Sequence, residues 1–119
     1  MASNPIVLIT GANTGLGYET IRSLLQSTKA YTILLGGRSV DKANAAAKAL
    51  QAEFPQRPSA IKTVQVDIED DDSIAKVYEH VASEYGRVDT LINNAGKGDI
   101  IIVHIDIPMT NTYMCRRFI

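Results

Sequence analysis

The sequence predicts an α/β fold of three layers built on a parallel sheet. Three observations carry that expectation. Short runs that are almost wholly apolar alternate with longer segments whose apolar residues recur at helical spacing. Each apolar run stops at a cluster of glycine, aspartate or asparagine, and the second and third helical segments stop at proline and glycine. The resulting order, β-α-β-α-β-α-β, implies parallel strands joined by right-handed crossovers.

Ile6-Val7-Leu8-Ile9 is continuous and aliphatic, as expected of a strand buried on both faces. From Gly15 to about Thr28 the pattern turns helical, with Ile21, Leu24, Leu25 and Thr28 on one face. Tyr31-Thr32-Ile33-Leu34-Leu35 reads as a second buried strand that stops at Gly36-Gly37. A second helix is expected from Asp41 to Phe54, with Ala43, Ala47, Leu50 and Phe54 at helical spacing. Asp41 suits its first turn, where the helix dipole favours an anion, and Pro55 and Pro58 end it. Residues 61–66 alternate as a third strand. Asp70-Asp71-Asp72 opens a third helix whose apolar face is Ile74, Val77, Tyr78, Val81 and Tyr85, and Gly86 supplies its stop. Residues 88–92 read as a fourth strand.

The chain has 119 residues, enough for one compact domain. Its 45% hydrophobic and 21% charged residues are those of an ordinary globular protein. A net charge of -1 leaves no electrostatic footprint for nucleic acid or an anionic membrane. Cys115 stands alone, which excludes an intrachain disulfide and a cysteine-based metal site. His80 and His104 have no companions at zinc-ligand spacing, so no metal is expected. The N-terminus has neither a basic region nor an apolar run long enough for a signal peptide or membrane span, so a cytoplasmic location is expected.

Thr10-Gly11-Ala12-Asn13-Thr14-Gly15-Leu16-Gly17 follows the first strand and opens the first helix. In that context each glycine has a physical task. Gly11 lets the chain turn sharply off the strand, Gly15 lets the backbone approach a phosphate, and Gly17 lets helix and strand pack closely. The helix N-terminus then faces an anion, as in dinucleotide sites. The spacing is Gly-x-x-x-Gly-x-Gly, and the alternative is a glycine-rich turn with no ligand.

This loop resembles the cofactor loop of the short-chain dehydrogenase/reductase family, and three further motifs resemble that family in the same order. They are Gly36-Gly37-Arg38-Ser39 after the second strand, Asp67-Ile68 after the third, and Asn93-Asn94-Ala95-Gly96 after the fourth. The resemblance covers about residues 5–96. It implies a Rossmann-like fold truncated after the fourth strand, and hydride transfer between NADP(H) and a carbonyl or alcohol in a full-length relative.

The cofactor choice turns on the end of the second strand. NAD enzymes of this architecture place an acid there for the ribose 2′-hydroxyl. Here Gly36 and Gly37 precede Arg38, whose guanidinium fork suits a 2′-phosphate. NADP is therefore expected, with Ser39 adding a hydroxyl donor; the alternative for Arg38 is a solvated surface arginine. The resemblance implies that Asp67 accepts from the adenine amino group while the backbone at Ile68 lines the adenine pocket. Asp67 also reads as one more acid at a helix N-terminus. For Asn93 and Asn94 the resemblance implies one structural asparagine and one on the ribose side, with Ala95-Gly96 giving the nicotinamide room. The alternative is a simple Asn/Gly turn.

Hydride transfer in the family uses a tyrosine, a lysine four residues later and an upstream serine. Four residues after Tyr18, Tyr31, Tyr78 and Tyr85 come Arg22, Leu35, Ala82 and Asp89, and Tyr113 is followed by Arg117. No catalytic residue is therefore assigned. Residues 97–119 read as a non-family tail: Ile100-Ile101-Ile102-Val103-His104-Ile105-Asp106-Ile107 is strand-like where the family continues with a loop and a long helix. Back-translation of Gly96-Lys97, Met109-Thr110-Asn111 and Cys115-Arg116 accommodates splice-site and branch-site sequences, so translated intron is one source of this tail. The sequence thus yields three readings: the NADP-binding part of an oxidoreductase, not competent alone; a non-catalytic NADP- or partner-binding module; or an unstable mis-spliced product.

Overall fold

In the computed structural model, residues 4–12, 15–55, 59–67, 70–93 and 101–108 are described, with the backbone alone for residues 78, 87, 93 and 101–108. The elements run β1 (Ile6–Thr10), α1 (Gly15–Gln26), β2 (Thr32–Gly37), α2 (Val40–Glu53), β3 (Ala60–Gln65), α3 (Asp71–Glu84), β4 (Arg87–Asn93) and β5 (Ile101–Pro108). They form one sheet in the order β3-β2-β1-β4-β5. The first four strands are parallel, which gives the Rossmann-like architecture expected from the sequence.

The continuous apolar runs have a simple cause. Successive side chains of a strand point to opposite faces, and both faces of this sheet are covered. Val7 and Ile9 of β1, with Ile33 and Leu35 of β2, join Ile21 and Leu25 of α1 and Ala43, Ala47 and Leu50 of α2 in one core. Ile6, Leu8 and Leu34 face the other way and join Val64, Val66, Val77, Val81, Val88 and Leu91. Polar alternation is therefore suppressed in the central strands and survives at β3, where Lys62 and Gln65 are exposed.

The helix ends show what the sequence placed correctly and what it did not. Asp41 lies in the first turn of α2, and Ser39 is its N-cap. Asp70 caps α3, its carboxylate accepting from the backbone N–H groups of Asp72 and Ser73. Gly86 ends α3 at φ +76°, and the N–H groups of Tyr85 and Gly86 both donate to the Val81 carbonyl. Two expectations are corrected. Helix α1 stops at Gln26, leaving Thr28 exposed beyond it rather than on the buried face. Strand β2 begins at Thr32, leaving Tyr31 before it, and includes Gly36 and Gly37, which pair with Val64 and Gln65 of β3.

Strand β5 reverses direction. It pairs antiparallel with β4, Leu91 opposite Val103 and Ile92 opposite Ile102, with an irregularity between Val88 and Thr90. Chain length explains the reversal. A parallel crossover needs roughly a dozen residues or more, and only residues 94–100 separate β4 from β5.

Candidate functional site

The chain leaves β1 for β2 and β3 on one side, then crosses to β4 on the other. The β1–β4 boundary is thus the point where strand order reverses, the place at which open α/β sheets bind ligands beyond the carboxyl ends of their strands. Thr10 pairs with Asn93 across that boundary. The four motifs singled out from the sequence follow β3, β2, β1 and β4 in the chain, so the sheet sets their described residues in a row along its carboxyl edge. Three interstrand spacings make that row about 14 Å wide.

At the end of β1, Gly11 turns the chain at φ +61° and Gly15 opens α1 at φ +65°. Both angles lie in the left-handed region that favours glycine. A Cβ on Gly15 would meet nothing within 4 Å, so its φ, not packing inside the chain, calls for glycine. Leu16 is 67% exposed, while Gly17 is buried. Helix α1 carries no acid in its first turn, whereas α2 has Asp41 there and α3 has Asp71 and Asp72. The positive end of α1 is therefore the one not offset by a first-turn carboxylate.

At the end of β2, Gly36 and Gly37 are buried and Arg38 is exposed. The Gly36 carbonyl accepts from the N–H of Ala12 at 2.9 Å, and the Gly37 carbonyl accepts from the N–H of Val66 at 3.0 Å. The Arg38 carbonyl accepts from Nε2 of Gln65 at 3.2 Å, which ties the arginine's backbone to β3. Ser39 Oγ accepts from the N–H of Lys42 at 3.4 Å, a long bond in its capping role. A hydroxyl that accepts in this way keeps its proton for another partner.

After β3, Asp67 is half-buried, and its N–H donates to Ser73 Oγ at 2.8 Å. Helix α3 thereby fixes the backbone at the position that the sequence assigned to the adenine side. Asn93 is the last residue of β4. Asn13, Thr14, Ile68, Asn94, Ala95 and Gly96 lie outside the described residues. The structure thus places Gly11, Gly15, Leu16, Gly17, Arg38, Ser39, Asp67 and Asn93 at the carboxyl ends of four neighbouring strands.

Four residues of this framework escaped the sequence reading: Ala12, Gly36 as an acceptor, Gln65 and Ser73. Ala12 and Gln65 act on neighbours that only the sheet brings close, and Ser73, in the first turn of α3, reaches back six residues to Asp67 with no motif signal of its own. A groove of about 650 Å³ runs along α2 beside β3, lined among others by Asn44, Lys48, Lys62 and Thr63. It includes none of the residues that the sequence assigned to the cofactor. Among the described residues, no helix is long and apolar enough to cross a membrane.

The glycine loop fits a nicotinamide dinucleotide on these observations: left-handed glycines, a helix N-terminus with no first-turn carboxylate and an exposed cation at the end of the neighbouring strand. Comparison with known proteins gives the same direction. The family described as short chain dehydrogenase matches residues 5–112, which extends past the boundary at 96 drawn from the sequence. A short-chain dehydrogenase/reductase of Talaromyces stipitatus, tropE, is 38% identical over 96 residues, covering 81% of this chain and 36% of that protein. The menthone neomenthol reductase structure from Mentha piperita superposes with a TM-score of 0.72 at 29% identity, covering 81% of this chain and 33% of that one. L-sorbose reductase from Gluconobacter frateurii, complexed with NADPH and L-sorbose, gives a TM-score of 0.67 at 31% identity, covering 82% of this chain and 35% of that one. The chain spans about a third of the length of these proteins. Motif order, sheet topology and the match over residues 5–112 together establish that this chain belongs to the short-chain dehydrogenase/reductase family.

Proposed function

We propose that this chain is the NADP-binding part of a short-chain dehydrogenase/reductase. The observation that carries the reading is the row of motifs along the carboxyl edge of β3, β2, β1 and β4, centred on the strand-order reversal. The first turn of α1 and the loop before it, Asn13 and Thr14 included, would hold the pyrophosphate. Asp67 and Ile68 would hold the adenine, and Asn93, Asn94, Ala95 and Gly96 the ribose and nicotinamide side.

NADP is favoured over NAD by the end of β2. Gly36 and Gly37 offer no carboxylate to a ribose 2′-hydroxyl, and Arg38 is exposed beside them. Ser39, at the N-cap of α2, stands next to the same position. The NADPH bound in the L-sorbose reductase complex supports the same choice.

When bound, the cofactor supplies hydride transfer to or from a carbonyl or alcohol carbon. This chain's own residues bind and orient it. The sequence has no Tyr-x-x-x-Lys pair to move the accompanying proton, so we read this chain as lacking turnover by itself. The same reading places residues 97–119 outside the cofactor half-domain of 1–96 and locates the protein in the cytoplasm.

The test is a fluorescence titration of the purified chain with NADPH and NADH. Saturable NADPH binding is expected, weakened about tenfold or more in Arg38→Ala through loss of a charge-assisted contact. NADH affinity should change little. Equal affinity of the unaltered chain for the two cofactors would remove Arg38 from the 2′-phosphate.

A further inference from the structure

We infer that Gly36 is a positioning residue for the glycine loop, required for the space that its missing side chain leaves. The inference rests on the cofactor reading above. Gly36 lies outside the left-handed region, since the described glycines with positive φ are Gly11, Gly15 and Gly86. Its backbone would therefore accept alanine; what forbids alanine is room. A Cβ there would sit 2.9 Å from the Ile9 carbonyl oxygen, 3.4 Å from Thr10 Cα and 3.0 Å from Val66 Cγ1.

These neighbours differ in kind. Val66 Cγ1 belongs to a buried, β-branched side chain that can give only by shifting within the core. The Ile9 oxygen and Thr10 Cα are backbone atoms of β1, immediately before the loop, and they cannot turn away. A methyl group on Gly36 therefore presses β2 off β1. It does so where the Gly36 carbonyl receives the Ala12 N–H at 2.9 Å. That bond holds the loop to the sheet beyond the last residue of β1. On the opposite side of β2, the Gly37 carbonyl receives the Val66 N–H at 3.0 Å. The end of β2 thus clamps the phosphate loop on one flank and the segment leading to Asp67 on the other. Gly36 controls the loop flank.

The test compares the unaltered chain with Gly36→Ala using three probes: NADPH, ADP for the pyrophosphate loop, and 2′-AMP for the Arg38 end. Gly36→Ala should weaken NADPH and ADP by about tenfold or more, and keep 2′-AMP within about twofold, as loss of one loop contact requires. Amide hydrogen exchange provides a readout without ligand. The Ala12 amide should be protected in the unaltered chain and lose that protection in Gly36→Ala, while the Ile33 amide keeps its own. Equal weakening of all three probes would mark Gly36 as merely structural and overturn the inference. So would unchanged affinities, or an Ala12 amide that exchanges freely in the unaltered chain. Should the unaltered chain bind no probe, the cofactor reading falls and the binding role of Gly36 falls with it, while Ala12 exchange still tests the tie. Should Gly36→Ala not fold, Ala12→Pro removes the donor without adding an atom at Gly36, and the same split among the probes is expected.

Discussion

The carboxylate of Asp89 accepts the backbone N–H of Ile6 at 2.7 Å, across 83 residues of sequence. Asp89 lies on β4 and Ile6 is the first residue of β1, so the bond closes the amino edge of the sheet at the same strand boundary whose carboxyl edge carries the candidate site. The site's two central strands are thereby held in register from their far end.

Removing that acceptor leaves a partly buried N–H without this partner. Asp89→Ala should lower unfolding stability by about 1–3 kcal/mol, and Asp89→Asn, which keeps an acceptor oxygen, by less. Urea denaturation of the three proteins checks the order. Equal stability of Asp89→Ala and the unaltered chain would show that the bond contributes nothing.

Gly15 and Gly86 form a controlled pair. Both have left-handed backbones, at φ +65° and +76°, and in both an added Cβ meets nothing within 4 Å. Alanine at either position should therefore cost about 1–2 kcal/mol from backbone conformation alone. The two should differ in binding. Gly15→Ala places a methyl group in the proposed phosphate loop and should weaken NADPH, whereas Gly86→Ala, at the end of α3, should leave affinity unchanged. Paired denaturation and titration measurements separate the two effects.

Ser39 and Asp70 cap α2 and α3 from the same kind of position, but only Ser39 stands beside Arg38. Loss of either cap should cost roughly 1 kcal/mol. The 3.4 Å bond of Ser39 puts its cost at the lower end. NADPH affinity should fall in Ser39→Ala and hold in Asp70→Ala. An unchanged affinity in Ser39→Ala would confine that serine to capping.

Tyr85 gives the fold a dependence on alkaline pH. Burial raises its pKa above the ordinary 10.0, and the neighbouring Glu84 charge adds to the rise. Above about pH 10 the unfolded chain loses this proton while the folded chain keeps it. The folded state then binds more protons, so its stability falls as pH rises. The contribution is complete below the unfolded value and is lost through the folded one. Tyr85→Phe should flatten this part of a stability profile measured from pH 9 to 11. A profile identical to that of the unaltered chain would assign the dependence elsewhere.

Much of the candidate site was legible in the sequence because its motifs are local. A glycine loop between a strand and a helix, and polar clusters at three further strand ends, need only the element order to be placed. The framework behind them was not legible. Gln65 holds the Arg38 backbone and Ser73 holds that of Asp67, and neither residue type has a preference that announces such a task. Gly36 was visible as a missing side chain, but the reason for it, the Ile9 carbonyl 2.9 Å away, belongs to another strand.

The sequence by itself determined the alternation of strands and helices, the burial of both sheet faces and the order of the four motifs. Those properties follow from side-chain period and backbone chemistry within a few residues. The tertiary structure decided which strands are neighbours, and with them the row of motifs, the Asp89–Ile6 bond and the tie between Ala12 and Gly36. It also decided that β5 runs antiparallel beside β4, a consequence of too short a connection for a parallel crossover. Residues far apart in the chain meet only when the sheet is assembled, and no local pattern encodes that assembly.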